Sequence, residues 1–381
     1  MLTCVLPALL LCASCTLINE NGSGWSTDDW TVYRGAPSLC GYTECALPGE
    51  PQLLWSATTQ TRTEAAPIVY DGYVYTLDRK GCLRRFSTEG DSVLIHDFKT
   101  LVEASFVVAD SVLYVGRIDG HVNAFDLNSH ALLWDFETMG QISGSPNLAG
   151  GQLLVGSYDG SLYTLDAKTG KKVSQYETAY YINGTAAVAE GVMLFGGCDA
   201  WLRVVDIATG VMTDSLELDS YVPASPAIVD GVACVSDYNG NLYEITLDKG
   251  KITSHRKLMA SDADNSDADG GVVAMPTLTR SDVYVLSGER SVSCIKRSSG
   301  QLRWQKLLRG ITGVCAPLVA RDKVLVCTKD GHVSIFSAKD GTELWHFETG
   351  EPIVASPAIV ADCFYVLTTR GTLFCFGKNT L

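Results

Sequence analysis

The chain has 381 residues, 46% hydrophobic and 19% charged, and its 29 basic against 43 acidic side chains leave a formal net charge of −14. That composition is globular rather than disordered, and its acidity argues against nucleic acid as a partner, because phosphate contacts need clustered Lys and Arg. No apolar run reaches the roughly 20 residues that a bilayer-crossing helix needs, so any membrane link has to be an anchor.

Residues 1–15 read as a lipoprotein-type signal segment. Val5 to Ser14 is a short apolar stretch, and Leu11-Cys12-Ala13-Ser14-Cys15 resembles the bacterial lipoprotein signal, in which a small residue precedes a cysteine that is acylated. The lipid then sits on Cys15; the alternative is an uncleaved apolar tail. Residues 16–50 read as a tether and lead-in segment, polar from Thr16 to Asp29. Within it Cys40 and Cys45 stand close together and, in an exported protein, can close a small disulfide loop. Cys234, Cys294, Cys327 and Cys375 fall in predicted strands and read as small buried hydrophobes. Beyond the signal segment the cysteines and histidines show no zinc-ligand spacing.

From residue 51 onward the chain repeats. Aligned on Pro67, Phe106, Pro146, Ala186, Pro226, Pro276, Pro317 and Pro357, the steps are 39, 40, 40, 40, 50, 41 and 40 residues. A small or hydroxyl residue precedes most anchors (Ala66, Ser105, Ser145, Thr185, Ser225, Ala316, Ser356), and an apolar run follows. A first turn comes at Asp71-Gly72, Gly150-Gly151, Glu190-Gly191 or Asp230-Gly231, and a second at Asp119-Gly120, Asp159-Gly160, Asn239-Gly240 or Asp330-Gly331. Both read as two-residue hairpin links with positive φ at each central residue. A third turn at Thr169-Gly170, Thr209-Gly210, Lys249-Gly250, Ser299-Gly300 or Asp340-Gly341 leads to a fourth strand carrying Trp134, Trp304 or Trp345. Four short strands per roughly 40 residues make one propeller blade, and eight units make an all-β, eight-bladed β-propeller.

Ring closure is legible too. The eighth unit runs out three strands in, and its missing outermost strand has the pattern of Leu53-Leu54-Trp55-Ser56-Ala57-Thr58, with Trp55 as far before Pro67 as Trp134 is before Pro146. The N-terminal strand therefore closes the last blade and removes an open sheet edge. Two residues before the anchors stand Ala65, Ala104, Gly144, Gly184, Ala224, Ala274, Cys315 and Ala355, a column small enough to line the narrow waist of the ring.

The units Tyr163-Thr164-Leu165-Asp166-Ala167-Lys168-Thr169-Gly170 and Val204-Val205-Asp206-Ile207-Ala208-Thr209-Gly210, with the later Trp in other blades, resemble the repeat of the quinoprotein-alcohol-dehydrogenase-like (PQQ-like) propellers over about residues 51–381. The compact ring and the signal-like N-terminus are similar to the BamB-like lipoproteins. That resemblance implies a non-catalytic scaffold without a cofactor, held by its lipid on the periplasm-facing outer membrane, with envelope or outer-membrane proteins as partners. The competing reading is a PQQ-dependent dehydrogenase or a small-ligand-binding propeller. Against it, the chain has no adjacent Cys-Cys pair, its six His are dispersed, with His121 and His332 in equivalent repeat positions, and no nucleophile elbow is recognisable.

Two surfaces stand out. The insertion holding Asp262, Asp264, Asp267 and Asp269 offers oxygen ligands suited to calcium, but without the Gly and Glu spacing of an EF-hand it reads as a solvated acidic loop. Three residues before the anchors lie Glu64, Glu103, Ser143 and Asn183, with Tyr180, Tyr181 and Tyr221 on the same rim. Aromatic and polar residues on loops at one face of a rigid ring suit a partner-binding rim, although a Tyr at a strand end also serves as half-buried packing.

Overall fold

A computed structural model of the protein describes residues 28–59, 61–259 and 275–378. Cys15, the acidic insertion and Ala274 lie outside the described residues. Eight antiparallel sheets follow one another in chain order, and each repeat anchor is followed at once by an innermost strand, from Ile68–Tyr70 in blade 1 to Ala358–Val360 in blade 8. Blade 3 shows the pattern: Asn147–Ala149, Gln152–Gly156, Ser161–Asp166 and Lys172–Glu177 run from the axis outward. The innermost strand of blade 1 touches those of blades 2 and 8, so the ring is closed.

Turn chemistry sets the hairpins. The first turns have positive φ at both central residues, 51° and 74° at Asp71-Gly72 and 51° and 78° at Glu190-Gly191, the conformation of a type I′ link. The second turns differ from the expected two-residue link. Only the glycine is left-handed there, Gly160 at 85° for example, and the loop is longer, with Ser157 N–H donating to Ser161 O and Gly160 N–H to Ser157 O. The third turns are built on an aspartate: Asp166 Oδ1 accepts from Thr169 N–H at 2.8 Å and from its hydroxyl at 2.7 Å, and Asp206 does the same with Thr209. These hydrogen bonds to the ionised form hold both carboxyl groups below the usual aspartate range.

Closure follows the expected register. Gln52–Thr58 pairs antiparallel with Thr372–Gly377, Trp55 facing Cys375 and Ala57 facing Leu373. A bulge at Leu54 matches the one at Leu133 in blade 2, so the strand supplied from the N-terminus copies an ordinary outermost strand down to its irregularity.

Neighbouring blades are stapled by tryptophan. Trp134 of blade 2 donates from Nε1 to Ala167 O of blade 3 at 2.9 Å, and its ring covers Gly170, where a Cβ would come within 2.6 Å of the indole. Trp304 repeats this on Ala338 and Gly341, and Trp55 repeats it across the closure on Thr88 and Gly90. Nearer the axis the hydroxyl column links blades: Ala66 N–H donates to Ser105 Oγ, Ser105 N–H to Ser145 Oγ, and Thr185 N–H to Ser225 Oγ. The core is accordingly divided among interblade layers, such as the cluster joining Tyr114 and Val122 of blade 2 to Leu153 and Tyr163 of blade 3.

Residues 30–47 of the lead-in segment run as a strap along the ring. Trp30 exchanges two backbone hydrogen bonds with Val69, after which the carbonyls of Thr31, Pro37, Ser38, Cys40 and Gly41 accept the N–H groups of Val108, Val188, Ile228, Leu278 and Val319 in turn. Blade 3 joins through Asn147 Nδ2, which donates to Pro37 O at 2.7 Å. Tyr42–Thr43 then adds a parallel strand to blade 7. These N–H groups lie on the axial edge of their sheets, and buried backbone donors need partners; the strap provides them. It is buried for that reason, Val32, Ala36, Leu39 and Leu47 included. Arg34 is wholly buried, donating from Nη1 to Pro276 O at 2.9 Å and from Nη2 to Thr277 Oγ1, and burial pulls its pKa down. Cys40 and Cys45 are not bonded to each other: the Cys40 thiol leans toward Tyr42 O at 3.8 Å, while Cys45 packs among core residues of blades 1, 7 and 8. The strap's path past successive blades separates their environments.

Candidate docking face

In a blade of this topology the loops between blades and the hairpins joining second to third strands lie on one face, here called the upper face. The first and third turns lie on the other. Large apolar side chains are exposed unequally between them. On the outermost strands they are spread around the rim, as at Leu53, Leu132 and Val173, but on the upper face they form an arc of Leu101, Met139, Tyr180, Tyr181, Tyr221, Ile311 and Val314. On the lower face Tyr73 is exposed, under Arg85, and so is Val211 beside the third turn of blade 4.

The tyrosines are held rather than loose. Tyr181, 53% exposed, stacks on Tyr158 of the adjacent hairpin with centroids 5.1 Å apart and planes 15° apart. Tyr221, 44% exposed, meets Tyr238 of the next hairpin at 4.8 Å. The backbones agree, since Tyr238 N–H donates to Tyr221 O at 2.8 Å and Cys198 N–H to Tyr181 O at 3.1 Å. Tyr180 has no ring partner among the described residues and is 59% exposed, and Met139 is 90% exposed. The expected rim residues Tyr180, Tyr181 and Tyr221 thus share one face. Tyr158, Tyr238 and Met139 join them, and nothing in their spacing marked them beforehand.

The polar members of the rim behave differently. Glu64 accepts from Arg62, and Glu103 from Arg79, so each carboxylate is already matched by a cation. Asn183 is part-buried on the blade 3–4 loop, its Oδ1 inside the protein. The two carboxylates brace their loops, whereas Asn183 Oδ1 has no hydrogen-bond partner among the described residues. Between blades 7, 8 and 1 the same face opens into a cavity of about 750 Å³ lined by Arg62, Lys329, Arg370, Glu351, Pro352 and Val354, among others.

Glu64 and Glu103 are engaged by arginines on separate loops, and among the described residues no group of three or more His, Cys, Asp or Glu is placed to hold a metal ion. His121 bonds Asp135 and His332 bonds His346, each a cross-strand pair within its own blade.

Eight four-stranded blades, aspartate-threonine third turns and tryptophan staples define a PQQ-like β-propeller. A model of the family described as Outer membrane protein assembly factor BamB matches residues 90–284 and 262–378, and the chain belongs to that family. A curated relative, Outer membrane protein assembly factor BamB of Legionella pneumophila (strain Paris), is 25% identical over 96 residues. That match spans 25% of this chain and 25% of the relative's length. Among solved structures, BamB from Moraxella catarrhalis superposes with a TM-score of 0.71 at 17% identity, covering 87% of this chain and 98% of that one. Quinohemoprotein alcohol dehydrogenase from Comamonas testosteroni gives 0.75 at 14%, covering 93% and 81%. At such identities the likeness to both structures is one of fold.

Proposed function

We propose that this protein is a non-catalytic scaffold of the bacterial cell envelope, anchored through a lipid on Cys15 to the periplasm-facing outer membrane, that docks envelope or outer-membrane proteins on its upper face during outer-membrane protein assembly. The observation that carries the reading is the one-sided display of rigid aromatic and apolar side chains. Large apolar side chains gathered on one face of a molecule mark an interaction surface, and aromatic anchors held in place before binding lose little conformational entropy on contact. Membership in a family named for outer-membrane protein assembly supports the choice of partner class. The exposed outermost strands offer a second mode, in which an extended partner segment adds to a blade edge.

Crosslinking in intact cells tests this. A photoreactive residue at Tyr181 or Tyr221 should trap an envelope protein, one at Tyr73 on the lower face should not, and Y181A/Y221A should reduce recovery without lowering the melting temperature. An upper face that traps no more than the lower one would refute the assignment. Stoichiometric quinone on protein purified after exposure to quinone and calcium would instead support the dehydrogenase reading.

A further inference from the structure

The cavity between blades 7, 8 and 1 gathers basic side chains on an acidic molecule. The chain carries a formal charge of −14 and repels anions at a distance, yet Arg62, Lys329 and Arg370, from three separate loops, converge on this one opening. The ammonium of Lys329 and the guanidinium of Arg370 make no hydrogen bond or ion pair with any described residue. Arg62 spends Nε and Nη2 on a single oxygen, Oε1 of Glu64. The one carboxylate lining the cavity, Glu351, directs Oε2 to the Thr368 hydroxyl at 2.6 Å, and Asp330 beside Lys329 spends Oδ1 on Ile311 N–H and the Thr328 hydroxyl. Pro352 and Val354 give the opening apolar surface as well.

We propose that this notch receives an acidic, extended peptide segment of the partner that docks on the upper face; the inference rests on the docking reading given above. The cations are exposed, so each ion pair alone is weak. A ligand that profits must carry several carboxylates spaced along a chain, with apolar groups to cover Pro352 and Val354. The notch adjoins the apolar blade 6–7 end of the arc: Lys329 N–H donates to Ile311 O at 2.9 Å, which ties the Lys329 hairpin to the loop bearing Ile311 and Val314. A single partner lying across the arc reaches both.

The test uses a dye-labelled peptide alternating Glu with Leu and Ala, read by fluorescence anisotropy at about 20 mM salt, where screening is weak. The full protein should bind it, its Gln-for-Glu counterpart should not bind, and raising the salt should abolish the signal. K329E/R370E should weaken binding roughly tenfold or more, and the milder K329Q/R370Q by less. Both positions are exposed hairpin residues, and a circular dichroism melt confirms that the variants fold. Equal affinity of K329E/R370E and the unmodified protein would overturn the proposal, as would binding to phosphatidylglycerol vesicles with no binding to the peptide. Y181A/Y221A should bind the peptide normally. Peptide binding retained while the upper face traps no envelope protein would sink the scaffold reading and leave the notch standing, so the two failures are distinguishable.

Discussion

Replacing Trp55 with Ala tests the closure of the ring at its most exposed joint. The indole donates to Thr88 O at 2.7 Å, lies parallel to Phe86 of blade 1 at 6.3 Å and 10°, and reaches Tyr365 of its own blade at 6.0 Å. Truncating a buried Trp costs about 3–5 kcal/mol; Trp55 is only half-buried, so about 2 kcal/mol is lost in packing, and the hydrogen bond adds about 1 kcal/mol. Trp134 and Trp304 make the same type of contact, and W134A should lose a similar amount locally. W55A should lose more. Its strand is held to Thr372–Gly377 by pairing and to the rest of the chain only through residues that precede blade 1, so freeing it bares the edge of blade 8. Urea denaturation of the two variants, with hydrogen exchange on the amides of residues 372–377, measures both effects. Expected are a loss of about 3 kcal/mol or more for W55A and selective deprotection of residues 372–377 in that variant. Stability within about 1 kcal/mol of the unmodified protein, or identical exchange in W55A and W134A, would refute the reasoning.

Deleting residues 28–50 should leave the axial N–H groups of blades 1, 2, 4, 5, 6 and 7 without acceptors and yield aggregated protein, whereas deleting residues 16–27 should leave the melting temperature unchanged; sedimentation and thermal melts compare them. Acid should weaken the ring through its third turns. Asp126, Asp166, Asp206 and Asp340 all have folded pKa values depressed by hydrogen bonds at these turns, so their contribution is present above the ordinary aspartate value of 3.8 and is lost as pH falls through the lower folded values. Urea midpoints between pH 5 and pH 2 should therefore fall less steeply in D166N/D206N than in the unmodified protein. Finally, C15A should move the protein from the detergent-extracted membrane fraction to the soluble periplasmic one, and unchanged fractionation with an intact N-terminus by mass spectrometry would defeat the anchor.

The ring was legible because its determinants are local and repeated. Anchors such as Pro146 and Pro226 stand directly before their innermost strands, and Trp55 marked the closing strand through its distance to Pro67. The second hairpins were less so, since Asp159-Gly160 reads the same in sequence whether one residue or both take positive φ. Trp134 and Gly170 were each visible as columns, but their contact joins different blades and emerges only when the ring is formed. The strap left no sequence signal because it occurs once. Its apolar residues follow neither strand nor helix spacing, being placed to suit successive blades, and its carbonyls act irrespective of side chain. Likewise Arg62, Lys329 and Arg370 come from widely separated loops and show as a cluster only in space.

The strap also bears on which surface can work. Residues 30–43 occupy the axial edges of seven of the eight blades, so the space that a funnel-binding ligand would use is bordered by the protein's own backbone, with Arg34 wholly buried among it. A ligand there has to lie over the strap or displace it, and displacement would break the hydrogen bonds that satisfy the innermost strands. The upper face carries no such cost. Tyr181 and Tyr221 are exposed and already held against Tyr158 and Tyr238, and the blades beneath them are locked by staples, hydroxyl links and strap together. Rigidity at the axis and exposed apolar surface on the rim are what recognition of a large partner needs, since the entropy of ordering the site is spent during folding rather than on binding.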